Sequence, residues 1–322
     1  MPKAIGLISG GLDSVLATRL LMDQEIQLTG LSFQTPFFGP DQARRATTQL
    51  AIPLVVKEIG EEHLELVRRP PHGYGSAMNP CIDCHALMIR KAGEVMVEEG
   101  HDFIFTGEVL NERPMSQNRR SLDLVAKLSG FADFLLRPLS ARLLPETKME
   151  KEGLVERRRL LDLQGRSRKR QLALAQAYGL TEFSAPAGGC LLTDQGFSKK
   201  LKELFAKGGF DLADINLLKV GRHFRIQDLK VIVGRNASEN QRLKELAREE
   251  DTLLSAEHLP GPVALARGEA SEELLLQAAG VCLAFSDFEE KDGVAEIEMG
   301  GQYEGNLRPP RLSRQQVEKF RI

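Results

Sequence analysis

Residues 4–22 read Ala4-Ile5-Gly6-Leu7-Ile8-Ser9-Gly10-Gly11-Leu12-Asp13-Ser14-Val15-Leu16-Ala17-Thr18-Arg19-Leu20-Leu21-Met22. A short apolar run bounded by glycines predicts a buried strand, and the apolar spacing after Ser14 predicts a helix. Only a tight glycine loop separates them. Gly10 and Gly11 tolerate positive φ and leave room for a ligand against the backbone. Consecutive N–H groups and the helix N-terminus would then face an anion, as in phosphate sites. Ser9 and Ser14 add hydroxyl donors. Asp13 has the wrong charge for such a site unless a cation such as Mg2+ sits beside it.

The loop lacks the Gly-Lys-Ser/Thr ending of a Walker A motif, and its glycines do not follow the dinucleotide Gly-x-Gly-x-x-Gly spacing. Ser9-Gly10-Gly11-Leu12-Asp13-Ser14 resembles instead the PP-loop of the ATP pyrophosphatases. That resemblance implies ATP as cofactor, with Mg2+, and cleavage between its α and β phosphates. It makes Ser9, Gly10, Gly11, Leu12, Asp13 and Ser14 nucleotide-binding residues and Asp13 a catalytic one.

A chain of 322 residues leads us to expect two domains, and 42% hydrophobic residues supply a real core. A net charge of −2 carries no global nucleic-acid signal. No stretch approaches about 20 apolar residues, so no membrane span is expected. The chain enters its first strand without a signal-peptide pattern, and a cytoplasmic protein is expected. Four cysteines are too few for a disulfide framework.

Apolar runs at Ile26–Phe33, Leu54–Ile59 and Phe103–Phe105 alternate with helical patterns at Asp41–Leu50 and Cys84–Glu99. Such alternation predicts an α/β fold with a parallel sheet, whose ligands bind beyond the strand C-termini. Ser32, Phe33, Thr106 and Gly107 fall at that edge with the glycine loop. Residues 151–170 hold eight basic against three acidic side chains. Arg166, Arg168, Lys169 and Arg170 form its densest part and suggest a phosphate footprint. A break at Ser184–Gly189 precedes a lysine-rich helix at Ser198–Lys207. Beyond Asp211, apolar runs at 229–233 and 263–266 with helices at 238–249 and 271–284 predict a small α+β module. The polar end, Arg308–Ile322, is expected to be loosely held.

Cys81-Ile82-Asp83-Cys84 lies at a helix start, where a thiol pKa is expected to fall and favour a thiolate ligand or nucleophile. Cys190 follows the break, and Cys282, between Val281 and Leu283, reads as core. Three cysteines suit a [4Fe–4S] cluster with one iron lacking a protein ligand. Zinc is an alternative, for which His85 would supply a fourth ligand. A redox pair of Cys81 and Cys84 is another.

Together these features resemble the PP-loop tRNA thiolation enzymes. Residues 1–180 are similar to the PP-loop domain of the tRNA 4-thiouridine synthetases, with Thr106-Gly107-Glu108-Val109-Leu110, Ser116-Gln117 and Leu136-Arg137-Pro138-Leu139 following the loop in family order. The resemblance implies that Ser32, Phe33, Thr106 and Gly107 meet the adenosine. Two features depart from that family. The loop starts at residue 9, without the N-terminal RNA-binding extension of those synthetases, and the cysteine pattern is more like the iron–sulfur-dependent 2-thiouridine branch. Val231-Ile232-Val233-Gly234-Arg235-Asn236-Ala237-Ser238-Glu239-Asn240 resembles the signature of the NFACT RNA-binding domain, although this chain has no tryptophan. There Arg222, His223, Arg225 and Arg235 would give a positive rim.

The expected organisation is a parallel-sheet PP-loop (adenine nucleotide alpha hydrolase-like) domain over 1–183 and a linker over 184–212 carrying Cys190. An NFACT RNA-binding-like domain over 213–305 and a tail over 306–322 follow. The implied function is ATP-dependent tRNA uridine thiolation through an adenylated uridine. Cys81, Cys84 and Cys190 would be catalytic and metal-binding, and Arg166, Arg168, Lys169, Arg170 and Arg235 would contact RNA. Partners would be tRNA and a sulfur donor, either sulfide or a cysteine desulfurase persulfide; a homodimer is compatible. The alternatives are a PP-loop sulfurtransferase or amidase-type enzyme on a small molecule, and an RNA-binding adaptor with a nucleotide-sensing loop.

Overall fold

The computed structural model describes residues 1–184, 190–208, 210–256, 261–286 and 296–322. It divides into two compact units, Met1–Asp194 and Gln195–Ile322. The fold is α/β: a parallel-sheet unit followed by a smaller α+β unit built on an antiparallel sheet.

In the first unit, β1 (Lys3–Leu7), α1 (Leu12–Met22), β2 (Gln27–Gln34), α2 (Asp41–Leu50), β3 (Leu54–Glu58), α3 (Gly60–Arg68), α4 (Cys81–Glu99), β4 (Phe103–Thr106), α5 (Arg119–Ser129), β5 (Leu135–Leu136), α6 (Lys148–Lys151) and α7 (Lys169–Ala177) follow in order. The strands are arranged β3-β2-β1-β4-β5, all parallel. Successive residues of β1 enter different cores. Ala4 joins a cluster with residues of α1, α2 and α7, while Ile5 joins one with residues of α4 and α5. Both faces are therefore covered by helices, as a parallel sheet requires. Strand order reverses between β1 and β4, and a crevice opens beyond their C-termini at such a switch point.

The expected strands at 26–33, 54–59 and 103–105 are present within a residue or two. Two expectations change. The helix expected from Cys84 begins at Cys81, so both cysteines of the pair lie in its first turn. Strand β5, two residues long, and helices α3 and α5 were not anticipated, because none carries a long periodic run.

The second unit comprises α8 (Gln195–Lys207), α9 (Leu212–Leu217), β6 (Arg222–Ile226), β7 (Leu229–Val233), α10 (Ala237–Leu246), β8 (Thr252–Ala256), β9 (Val263–Arg267), α11 (Glu272–Leu283), β10 (Ile297–Gly301), β11 (Gly305–Leu307) and α12 (Arg314–Glu318). Its sheet has the order β11-β10-β8-β9-β7-β6. Helix α11 packs on one face, where Cys282 is 1% exposed and thus core as expected. Residues of α9 and α10 cover the other face.

The residues expected as a linker divide between the units, with Cys190 in the first and α8 in the second. The C-terminal end is not loosely held. Ser313 caps α12, Val317 is fully buried, and the Arg225 N–H donates to the Phe320 carbonyl at 2.7 Å. Among the described residues no helix is long and apolar enough to cross a membrane.

Candidate functional site

The glycine loop sits at the end of β1, on the switch point. Gly10 has φ of 76°, and a Cβ there would lie 2.4 Å from the Gln42 backbone at the start of α2, so only glycine fits. Gly11 instead takes an extended conformation as the N-cap of α1; the expected positive φ applies to Gly10 alone. The Gly11 N–H donates to Ser9 Oγ at 3.3 Å, and Ser14 Oγ donates to the Gly11 carbonyl at 2.8 Å. The Ser14 hydroxyl proton is thus engaged within the loop, whereas exposed Ser9 faces solvent. Gly107, just past β4, abuts the first turn of α1: a Cβ there would lie 2.5 Å from the Ser14 nitrogen. Residue 107 is glycine because two strand ends and a helix start meet there. Ser184, by bridging to Gly11, closes another side of the loop.

Beside the loop lies a charged cluster that local sequence patterns do not reveal. Asp13 Oδ1 and Glu112 Oε2 are buried without a hydrogen-bond partner, as is Arg168 Nε. Burial raises the Asp13 carboxyl, opposed by the charges of Arg168 and Arg113 and by a hydrogen bond from Gln171. Burial and the charge of Asp13 push Glu112 up to about 6. Two partly desolvated carboxylates with free oxygens, flanked by arginines, answer the question posed by Asp13. Charge of both signs converges where a phosphate and a cation would need it.

The three expected site cysteines come together. The Leu191 N–H donates to the Phe37 carbonyl at 3.2 Å and the Met78 N–H to the Leu192 carbonyl at 3.2 Å. These bonds dock the Cys190 segment beside the turn that leads into α4. Cys84 feels the charges of both Cys190 and Cys81, and Cys190 feels that of Cys81. All four cysteines are free thiols. The expected lowering of their pKa is reversed: burial raises Cys81, Cys84 and Cys190 alike. The helix N-terminus favours a thiolate, but desolvation outweighs it when the turn is covered by neighbouring chain. Among the described residues, no group of three or more His, Cys, Asp or Glu side chains is arranged to hold a metal ion. His85, the residue considered as a fourth zinc ligand, places its Nδ1 3.0 Å from Glu108 Oε1. Fully buried His63, which the sequence did not single out, places Nε2 3.1 Å from Cys84 Sγ.

Arg113 acts on both clusters. Its charge acts on Asp13 and Glu112 on one side and on Cys81 and Cys190 on the other. The carboxylates beside the glycine loop and the thiols therefore share one electrostatic neighbourhood of the first unit.

The floor at the β4 end is a buried ionic network. Arg137 Nε donates to Glu108 Oε2 at 2.8 Å, and Thr106 Oγ1 donates to the same oxygen at 3.1 Å. Arg137 and His85 hold Glu108 down at about 2 despite its burial. The Thr106 hydroxyl is thus engaged in this network, and the Phe33 ring is core with Leu87 and Ile104. Ser32 is 7% exposed on β2. Gly188 and Gly189 lie outside the described residues.

The basic run is less free than its sequence suggests. Arg157 pairs with buried Glu150 at 2.6 Å, Arg158 with Glu156, and Arg170 with Asp162 at 2.6 Å, while Arg159 donates to the Asp23 carbonyl. Arg168 turns toward Asp13. Arg166 and Lys169 remain exposed. In the second unit, three residues of the expected rim are likewise engaged. His223 is 3% exposed, with Nε2 2.8 Å from the Val220 carbonyl oxygen, Arg225 pairs with Glu203, and Arg235 pairs with Glu239.

Residues 221–321 match the family model described as the NFACT protein RNA binding domain. No curated protein matches the chain. Among solved structures, a 4-thiouridine synthetase–RNA complex with bound ATP aligns at 18% identity and a TM-score of 0.36, over 67% of this chain and 52% of that one. A predicted tRNA methyltransferase subunit from Methanocaldococcus jannaschii aligns at 13% identity and a TM-score of 0.36, over 55% of this chain and 76% of that one. The C-terminal part of a fibronectin/fibrinogen-binding protein from Streptococcus suis aligns at 10% identity and a TM-score of 0.29, over 81% and 98%.

Proposed function

We propose that this protein is an ATP-dependent tRNA uridine thiolase. The observation that carries the reading is that the charge of Arg113 acts both on the carboxylates beside the glycine loop and on the thiols of Cys81 and Cys190. A glycine loop at a switch point with free carboxylate oxygens suits a nucleotide with its cation; three soft thiols suit sulfur chemistry. The family match of the second unit supports RNA as the substrate class.

In this reading Gly10, Gly11, Leu12 and the α1 N-terminus hold the phosphates of ATP, with Ser9 and Ser14 at their edge. Asp13 and Glu112 would hold Mg2+, which supplies charge neutralisation on the pyrophosphate. Ser32, Phe33, Thr106 and Gly107 border the nucleoside end through their backbone. Arg113 and Arg168 stabilise charge at the α-phosphate as a uridine carbonyl oxygen attacks it and pyrophosphate departs. Sulfide, as HS⁻, then adds to the activated ring carbon and loses its proton, and AMP leaves with the former carbonyl oxygen. Cys81, Cys84 and Cys190 would present the sulfur; they are not arranged as a metal site in this structure, and would have to close on one another to hold a [4Fe–4S] cluster or zinc. The chain's own part is to keep these thiols desolvated and next to Arg113. Arg166, Lys169 and the second unit would hold tRNA, with the target base turned out of its stack.

The direct biochemical test is pyrophosphate release from ATP with tRNA under reducing, anaerobic conditions. The reading expects tRNA-dependent release that Asp13→Asn abolishes. Absence of release would favour a nucleotide-sensing RNA adaptor. Release that is indifferent to tRNA, with thiolation of a small molecule, would favour the small-molecule sulfurtransferase.

A further inference from the structure

On the second unit, three residues from distant parts of the chain meet on one surface. Arg222 opens β6, Phe285 follows α11, and Arg314 opens α12. The Arg222 guanidinium carbon lies 4.7 Å from the centre of the Phe285 ring, and that of Arg314 lies 5.7 Å from it. The ring is itself seated on buried Phe224, at 5.7 Å between centroids. Two further arginines surround the group, Arg235 and Arg321, each with its own acid, Glu239 and Glu318. Among the described residues the patch thus gathers four guanidinium groups against two carboxylates.

We propose that Arg222 and Arg314, seated on Phe285, form a clamp for the phosphate backbone of RNA. The proposal rests on the RNA-binding reading of the second unit and names its contact point. Like charges gathered on one small surface repel each other: burial first, and then the charges of Arg235, Arg321 and Arg314, weaken the hold of Arg222 on its proton, opposed by Glu239. An anionic ligand relieves that repulsion. Stacking on an aromatic ring fixes the plane of a guanidinium; Arg222 gives one Nη1 N–H to the Gly234 carbonyl, at 3.5 Å, and its remaining N–H groups suit a phosphate oxygen. The supporting ring rests on Phe224, which is fully buried. Of the rim arginines expected from sequence, Arg225 and Arg235 are engaged in ion pairs, which leaves Arg222 as the one stacked on an aromatic ring. Its partner on the ring, Arg314, comes from the end of the chain that sequence reading treated as a loose tail.

The test measures tRNA binding by the full-length chain across a salt series. Wild type is compared with Arg314→Ala, Arg222→Lys, Phe285→Leu and, as an exposed-arginine control, Arg308→Ala. Each lost phosphate contact should reduce the slope of log affinity against log salt by about 1. We expect Arg314→Ala to lower affinity about fivefold to tenfold and to flatten the slope. Arg222→Lys keeps the charge and loses the fork; it should lower affinity without flattening the slope. Phe285→Leu should weaken binding with the charge count unchanged, and Arg308→Ala should leave it unaltered. Arg314 is exposed, so its variant tests the clamp even if the other substitutions unfold the unit. If wild type binds tRNA and Arg314→Ala binds with the same affinity and slope, the clamp is overturned while the RNA reading stands. If wild type does not bind tRNA, both fail. Equal displacement of tRNA by polyglutamate would assign the patch to an acidic protein partner and also overturn the clamp.

Discussion

In the proposed reaction Asp13 is the residue on which the chemistry turns, and its surroundings show how a carboxylate is accommodated beside the glycine loop. Its free oxygen faces a neighbourhood in which Glu112, Arg113 and Arg168 balance one another. Glu112 provides a pH test. Its carboxyl is raised from 4.5 to about 6, so the folded protein binds that proton more tightly than the unfolded chain. Folding is therefore penalised as pH rises from 4.5 through 6, and relieved as pH falls. Without divalent cation, Glu112→Gln should be more stable than wild type at pH 7, by about 1 to 2 kcal/mol, with the gap closing by pH 4. Urea midpoints at the two pH values decide it; an equal difference at both would contradict the assignment. Glu108 has the opposite sign. Held at about 2, it adds stability above pH 4.5 that is lost as pH falls toward 2. Glu108→Gln leaves Arg137 buried without its counter-charge and should cost about 3–5 kcal/mol in urea unfolding at pH 7.

Helix α4 shows how one element serves both packing and site. Its first turn carries Cys81 and Cys84, and its buried stripe, including Leu87, Ile89 and Ala92, fixes that turn against the sheet. Gly93 lets α4 approach the end of α5, because a Cβ there would fall 2.3 Å from the Phe131 ring. Gly93→Ala should therefore destabilise by about 1–3 kcal/mol, read as a lowered melting temperature, and loosen the cysteine turn with it. The basic run separates in the same way. Arg157→Ala breaks a pair with buried Glu150 and should lower stability, whereas Arg166→Ala with Lys169→Ala should leave melting unchanged and weaken tRNA binding. The opposite pattern in melting and gel-shift assays would place the RNA contacts elsewhere. Elements with long apolar runs, β1 to β4 and α4, were legible in the sequence because burial on both faces leaves little room for polar residues. Strand β5 was not, since two residues carry no periodicity. The thiol pKa values were misread because a helix start is visible locally, whereas the Phe37 and Leu191–Leu192 segments that dock beside it come from elsewhere in the chain.

At the scale of the whole molecule, each unit has its own core: one built on Ala4, Leu16 and Phe105, the other on Phe224, Val231 and Ala279. Two unfolding transitions are expected in calorimetry. A non-hydrolysable ATP analogue at about 100 times its dissociation constant should stabilise only the transition of the first unit, by about 2.7 kcal/mol. A shift confined to the second unit would remove the nucleotide site from the glycine loop. The α/β plan and the glycine loop could be read from residues 4–22 and the alternation after them. The partners of Asp13, namely Glu112, Arg113 and Arg168, lie about a hundred and more positions away in sequence, and only folding brings them to the switch point. The same holds for Cys190, whose approach to Cys81 and Cys84 depends on backbone bonds of Leu191 and Leu192. The central claim is that this crevice activates a tRNA uridine with ATP so that sulfur can enter. Nucleoside mass spectrometry of tRNA, from cells with the gene, without it, and complemented with Asp13→Asn or Cys81→Ala, tests that claim most directly. The account predicts that one thiolated uridine disappears with the gene, returns with the wild-type protein and fails to return with either variant. Persistence of every thiolated uridine in cells lacking the gene would contradict it.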